Sequence, residues 1–176
     1  MNKYEPKIKF LKGRSLENVE GQRNASKYLK RLENEIGGVL PNDYKEFLIN
    51  YGSGLRFDVY VIYPLLVSCS VGNWQEITTF LGFWSTNTRN IFRYYDVYKE
   101  RLPSGFLPIA YDMSGNLTCI SFAGENQGYV YFWQHDVWET VDEKGNTYTK
   151  DLFLAAKSFD EFICSLEIDD DENDEG

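Results

Sequence analysis

The chain has 176 residues and a net charge of −9, with 43% hydrophobic and 16% aromatic side chains. That composition suits one globular domain and excludes an intrinsically disordered chain. No apolar run approaches the roughly 20 residues a membrane helix needs, and the charged opening MNKYEPKIKFLKGR lacks the apolar stretch of a secretory signal. The expectation is a soluble, cytoplasmic protein. Cys69, Cys119 and Cys164 are far apart with no CxxC pair, so they read as free thiols of a reducing compartment.

Charge is unevenly spread. Residues 1–31 carry a local +6, residues 32–166 a local −8, and the tail 167–176 adds seven acids and no base. An acidic domain repels nucleic acid and anionic membranes and steers basic partners inward. The expected organisation is a basic N-terminal arm (1–23), one domain (24–166) and a solvated acidic tail (167–176).

Within the arm, a short strand is expected near Lys7–Leu11. From Asn24 a helix begins, with Tyr28, Leu29, Leu32 and Ile36 on one stripe and Gly37-Gly38 as its stop. The segment LPNDYKEFLINYGSG follows. Leu40, Tyr44, Phe47, Leu48 and Tyr51 form an apolar stripe at helical period. Pro41 suits the first helical turn and Gly52 the left-handed position after the helix.

Phe57, Val59, Val61 and Tyr63 then alternate with more polar residues, which is strand behaviour ended by Pro64. QEITTFLGFW reads as a second short strand. Residues 86–105 return to helical spacing through Ile91, Tyr95, Tyr98 and Leu102. From Leu107 strands alternate with turns: LPIAY and LTCISF around DMSGN, YVYFW after AGENQG, then VWETV and TYTKDLF around DEKGN. SFDEFICSL carries a capping box, Ser158 with Glu161, and a stripe of Phe159, Phe162, Ile163 and Leu166. Helices, then a largely antiparallel meander, then a docking helix define an α+β fold with a twisted sheet.

The chemistry-bearing residues form no catalytic set. His135 is the only histidine, and Asp136 beside it points to the opposite face of a strand, so His135 reads as a structural hydrogen-bonder rather than a general base. One histidine and three scattered cysteines lack metal-ligand spacing, and no phosphate-binding glycine loop occurs. The tail and DMSGN each alternate acidic or amide residues as a calcium loop does, but both lack its glycine. Trp74, Trp84, Trp133 and Trp138 read as core or rim residues. No cofactor or metal is expected.

Three motifs carry a resemblance. LPNDYKEFLINYGSG is similar to the signature helix of the SUKH superfamily, through Leu40, Pro41, Tyr44, Phe47, Leu48, Gly52 and Gly54. LPIAYDMSGNLTCISF resembles that family's hairpin, through Leu107, Pro108, Ile109, Ala110, Asp112, Gly115 and Asn116. In GYVYFWQHD, Val130, Tyr131, His135 and Asp136 fit the strand that ends in a His-Asp pair, and SFDEFICSL fits the C-terminal helix. The likeness runs from about residue 25 to 166.

The resemblance implies an α+β fold and, for most bacterial members, a non-catalytic immunity protein. Such a protein binds and neutralises the toxin domain of a polymorphic or contact-dependent toxin system, often a nuclease. The alternative within the superfamily is a general interaction or regulatory scaffold. The acidic domain accords with a basic toxin partner, and with no direct contact to nucleic acid or membrane. Interface anchors are often aromatic, so the candidate contacts are the acids and aromatics Asp58, Tyr60, Trp84, Asp96, Glu100, Asp112 and Asp136.

Overall fold

The computed structural model describes residues 2–17, 19–67, 72–84, 88–135, 140–141, 147–148 and 152–169. Residues 2–17 do not form an arm. Glu5–Phe10 is a helix (α1), where the sequence predicts a strand, and Gly13–Ser15 is the first strand (β1). Tyr4, Ile8 and Leu11 lie on one side of this helix and are buried in the main core. Lys7 and Lys9 stand between them in the sequence and obscure a stripe that has only three apolar members.

A short helix, Val19–Arg23 (α2), leads into Ala25–Ile36 (α3) and Asn42–Asn50 (α4). Leu29, Leu32 and Ile36 of α3 and Tyr44, Phe47 and Leu48 of α4 are buried, as their spacing predicts. Two boundary details differ from expectation. Pro41 precedes the first helical residue with ψ of 142°, so it is the cap rather than part of the first turn. Gly54, not Gly52, takes the left-handed conformation, with φ of 84°.

Gly52 is needed for a different reason. A Cβ there would come 2.8 Å from the Leu48 carbonyl oxygen and 2.9 Å from the Ala25 Cβ. Gly82 meets the same segment from the other side, where a Cβ would overlap the backbone of Ser53 and Gly54. The Phe83 N–H donates to the Gly52 carbonyl at 2.8 Å. The Gly-Ser-Gly segment is thus clamped between α3 and the end of the third strand.

The sheet is antiparallel throughout. Its order is β1, Leu55–Pro64 (β2), Trp74–Phe80 (β3), Phe106–Tyr111 (β4), Leu117–Ser121 (β5), Val130–Trp133 (β6) and Leu152–Ala156 (β9). Thr140–Val141 (β7) and Thr147–Tyr148 (β8) pair separately, as the hairpin around residues 142–146 predicts. Ile91–Tyr98 (α5) crosses between β3 and β4, and Phe159–Ser165 (α6) follows β9. Glu167–Ile168 (β10) returns to β2 and pairs along Val61–Ile62.

The helical layer covers one face of the sheet. Cross-strand partners point to the same side, and the row Leu55, Phe80, Ala110, Thr118, Phe132 faces the main core. Phe47 sits at its centre, with the rings of Tyr4, Tyr51, Phe80 and Phe159 at centroid distances of 5.7, 5.0, 4.9 and 5.0 Å. The sheet curls strongly around this core. The Tyr63 hydroxyl of β2 hydrogen-bonds Thr118 Oγ1 of β5 at 3.1 Å, although a flat sheet would hold those strands about 14 Å apart. Past β2, the Leu66 N–H donates to the Leu154 carbonyl of β9 at 2.8 Å, which brings the far strand to the near one.

Helix α6 is fixed from two sides. Half of its capping box forms as predicted, the Ser158 hydroxyl oxygen accepting from the Glu161 N–H at 3.1 Å. The Glu161 carboxylate accepts the Lys157 N–H at 3.0 Å, one residue before the cap. Asp43, in the first turn of α4, also accepts the Phe159 and Asp160 N–H groups at 2.9 and 3.2 Å. The Tyr4 hydroxyl lies beside this cap and hydrogen-bonds both the Asp43 carbonyl oxygen and the Asp160 carboxylate. Three chain segments are therefore tied at one point.

Candidate partner-binding surface

The second face of the sheet is only half covered. One cross-strand row on it reads Arg56, Thr79, Tyr111, Leu117, Trp133, Leu152. At the β4–β6 end this row is roofed by α5, where the Tyr94 ring stacks on Tyr111 at 5.6 Å and Tyr98 meets Trp133 edge-on at 5.5 Å. Leu102, Leu117, Cys119 and Trp133 form a small second core there. Burial pushes the Cys119 thiol far above its ordinary pKa and Tyr94 up to about 12, so both are neutral packing groups at pH 7.

Among the described residues no helix lies over the β2–β3 end of the same face. Tyr60 and Trp74 are each 50% exposed, and Met113, at the tip of the β4–β5 hairpin, is 76% exposed. Arg56, Asp58, Tyr60, Glu76, Thr78 and Met113 line a shallow recess of about 240 Å³. The recess exists because β2 is irregular: between Arg56 and Val61 it carries extra residues opposite β3, which lifts Asp58–Tyr60 out of the ladder.

The candidate contact residues divide between places. Asp58 and Tyr60 are exposed and lie together in this recess. Asp58 is held between Arg14 and Arg56 at 3.3 and 3.7 Å. Asp96 and Glu100 are exposed on and just after α5, where Asp96 pairs with Lys99 at 2.6 Å. Trp84 is half buried and its indole N–H donates to the Ser53 carbonyl, while its own carbonyl accepts from Asn90. It braces the Gly-Ser-Gly segment. Asp136 and Trp138 lie outside the described residues, as do Cys69 and the tail from residue 170.

Asp112 is buried rather than displayed. Its two carboxylate oxygens accept the backbone N–H and side-chain amide of Asn116 at 2.9 and 2.8 Å. Asn116 Oδ1 in turn accepts the His135 backbone N–H at 3.2 Å and stands 3.3 Å from His135 Nδ1; an amide oxygen only accepts, so Nδ1 is the donor in this contact. Arg101 donates to the His135 carbonyl at 2.8 Å and lies over the Trp133 ring at 5.0 Å. His135 therefore positions the hairpin, in keeping with the structural role expected of it.

Among the described residues no group of three or more His, Cys, Asp or Glu stands close enough to hold a metal ion. No helix there is long and apolar enough to cross a membrane. Asp43 is the polar residue sequence reasoning missed. Its signal was its place one residue before Tyr44 in the first turn, but its partners lie more than 110 residues away.

The molecule defined by these features is an α+β domain with a curled antiparallel sheet, which presents a half-open sheet face instead of a deep cleft. The model of the SMI1 / KNR4 family (SUKH-1) matches residues 25–165, and the chain belongs to that family. It is also 31% identical over 168 residues to the SPbeta prophage-derived uncharacterized protein YokK of Bacillus subtilis (strain 168), covering 87% of this chain and 81% of that protein. No solved structure matches the chain.

Proposed function

We propose that the chain is a non-catalytic immunity protein that binds the toxin domain of a bacterial toxin system and neutralises it by covering its active site or substrate surface. The observation that carries this reading is the uncovered half of the outer sheet face, where exposed aromatic and charged side chains lie together on a rigid sheet. Three chemistry-bearing groups have packing roles that accord with it: His135 bonds Asn116, Asp112 bonds the same turn, and Cys119 lies in the second core. Family membership supports the same reading, as does likeness to a prophage-derived protein. The partner is a basic protein, for example a nuclease, met in the cytoplasm. Its positive surface would be drawn by the net −8 of residues 32–166.

An immunity protein is expected to have a toxin gene beside its own, and co-expression with that gene's product tests the proposal. Growth should be restored, and a one-to-one complex should survive gel filtration. Loss of growth despite abundant folded protein would sink it, and recovery of several unrelated partners would favour a regulatory scaffold.

A further inference from the structure

The open half of the outer face has a defined chemistry. Glu167 of β10 pairs with Ile62 of β2, and Ile62 pairs with Glu76 of β3, so the three share one cross-strand row on the outer side. Pro64 pairs with Trp74 in the next row. Tyr60, two residues before Ile62, stands at the other end, where its carbonyl accepts the N–H of Asp169 at 2.9 Å. Ile62 is thus flanked by two glutamates on neighbouring strands, about 10 Å apart across the ladder. Two half-exposed aromatic rings lie beyond it in opposite directions, Tyr60 along β2 and Trp74 diagonally on β3.

We infer that this patch, Tyr60, Ile62, Trp74, Glu76 and Glu167, is a docking surface that reads arginine side chains on a basic protein partner. The inference rests on the immunity reading for the identity of that partner, but not for the chemistry. A planar guanidinium stacks on Tyr and Trp faces while donating two parallel hydrogen bonds to a carboxylate, whereas an ammonium can do neither in the same geometry. Exposed Trp and Tyr beside carboxylates supply both halves of that recognition. Phosphate is repelled by the carboxylates, which excludes nucleic acid. A second copy docking patch to patch would place like charges opposite each other. Arg14 and Arg56 are turned to Asp58 at the far end of the recess, and the Glu76 carboxylate also accepts the Thr78 hydroxyl at 3.3 Å.

Two measurements on the full chain test this. In the first, fluorescein-labelled octa-arginine and octa-lysine are titrated against wild type, Glu76→Gln/Glu167→Gln and a control Glu35→Gln/Glu125→Gln, with anisotropy as readout. Wild type should bind octa-arginine about tenfold more tightly than octa-lysine, and the patch variant should lose about tenfold while the control does not. Trp74→Ala should weaken octa-arginine more than octa-lysine. Equal loss in patch and control variants, or no arginine preference, overturns the inference. In the second, the same variants are co-expressed with the neighbouring toxin. Protection by wild type and control but not by the patch variant supports the surface as the toxin's. Full protection by a patch variant overturns that assignment and leaves the immunity reading intact. Arginine-selective binding without any protection upholds the patch and removes the immunity reading.

Discussion

Replacing Phe47 by alanine should expose how the core is held. Phe47 is fully buried, and the rings around it come from the N-terminal segment, α4, β3 and α6. A Phe→Ala change in a core costs roughly 3–5 kcal/mol, the larger values applying where the walls cannot collapse. Here the walls are aromatic and separately anchored, Tyr4 by Asp43 and Asp160 and α6 by its two caps. A loss of about 4 kcal/mol is therefore expected. With a urea slope of about 2 kcal/mol/M, the unfolding midpoint should fall by about 2 M. The melting temperature should drop by about 8–16 °C in a chain of this length. Phe47→Leu should recover a good part of both. A midpoint shift below about 0.5 M would refute the assignment of Phe47 to a rigid core. Unchanged stability with loss of toxin binding would make α4 the interface instead.

Other substitutions probe single features. The Tyr44 hydroxyl is buried with no hydrogen-bond partner among the described residues, so Tyr44→Phe should be neutral or raise stability by about 1 kcal/mol; a clear loss in denaturant unfolding would reveal a partner. Asp43→Ala should cost about 1–2 kcal/mol by uncapping α6, with faster amide exchange at Phe159 and Asp160 as the local signature. Gly82→Ala should destabilise by steric overlap with Ser53 and Gly54, and a variant melting like wild type would disprove that packing. Burial raises the Asp160 pKa, but hydrogen bonds from Tyr4 and Lys3 outweigh it and leave the carboxyl below its ordinary value. Its contribution is complete above the unfolded value, about 4, and is lost as pH falls below that. Asp160→Asn should therefore lose less stability than wild type between pH 5 and pH 3, and equal losses would refute the linkage.

Helices with dense stripes were legible: Leu29, Leu32 and Ile36 in α3, and Tyr44, Phe47 and Leu48 in α4, declare themselves by spacing alone. So did α6, because Ser158 and Glu161 form a local capping pair. The elements that escaped are those whose partners are distant. Gly13–Ser15 and Glu167–Ile168 are too short to show alternation and exist because β2 offers them an edge. In α1 the buried face has three members spread over eight residues, and its surface lysines dominate the composition. The same limit holds for the candidate surface. Asp58 and Tyr60 stood out as exposed residues of a predicted strand. Glu76, Trp74 and Glu167 join them only through register, which no local pattern encodes. Asp112 misled because a charged residue in a turn looks solvent-facing until its two bonds to Asn116 are seen.

Strands β1 and β10 lie end to end along one edge of β2, one paired at Leu55–Phe57 and the other at Val61–Ile62. The first and last of the described strands thus pair with the same neighbour. During synthesis β2 can recruit β1 early, but its other half must wait until residue 168 has left the ribosome. Nascent chains stalled before Glu167 would carry an unsealed strand edge and lack one wall of the outer face. Such a chain would be protease-sensitive and unable to engage a partner there. On the immunity reading, protection would begin only once Glu167–Ile168 has emerged and paired with β2, a delay that pulse-labelling of toxin-exposed cells can time.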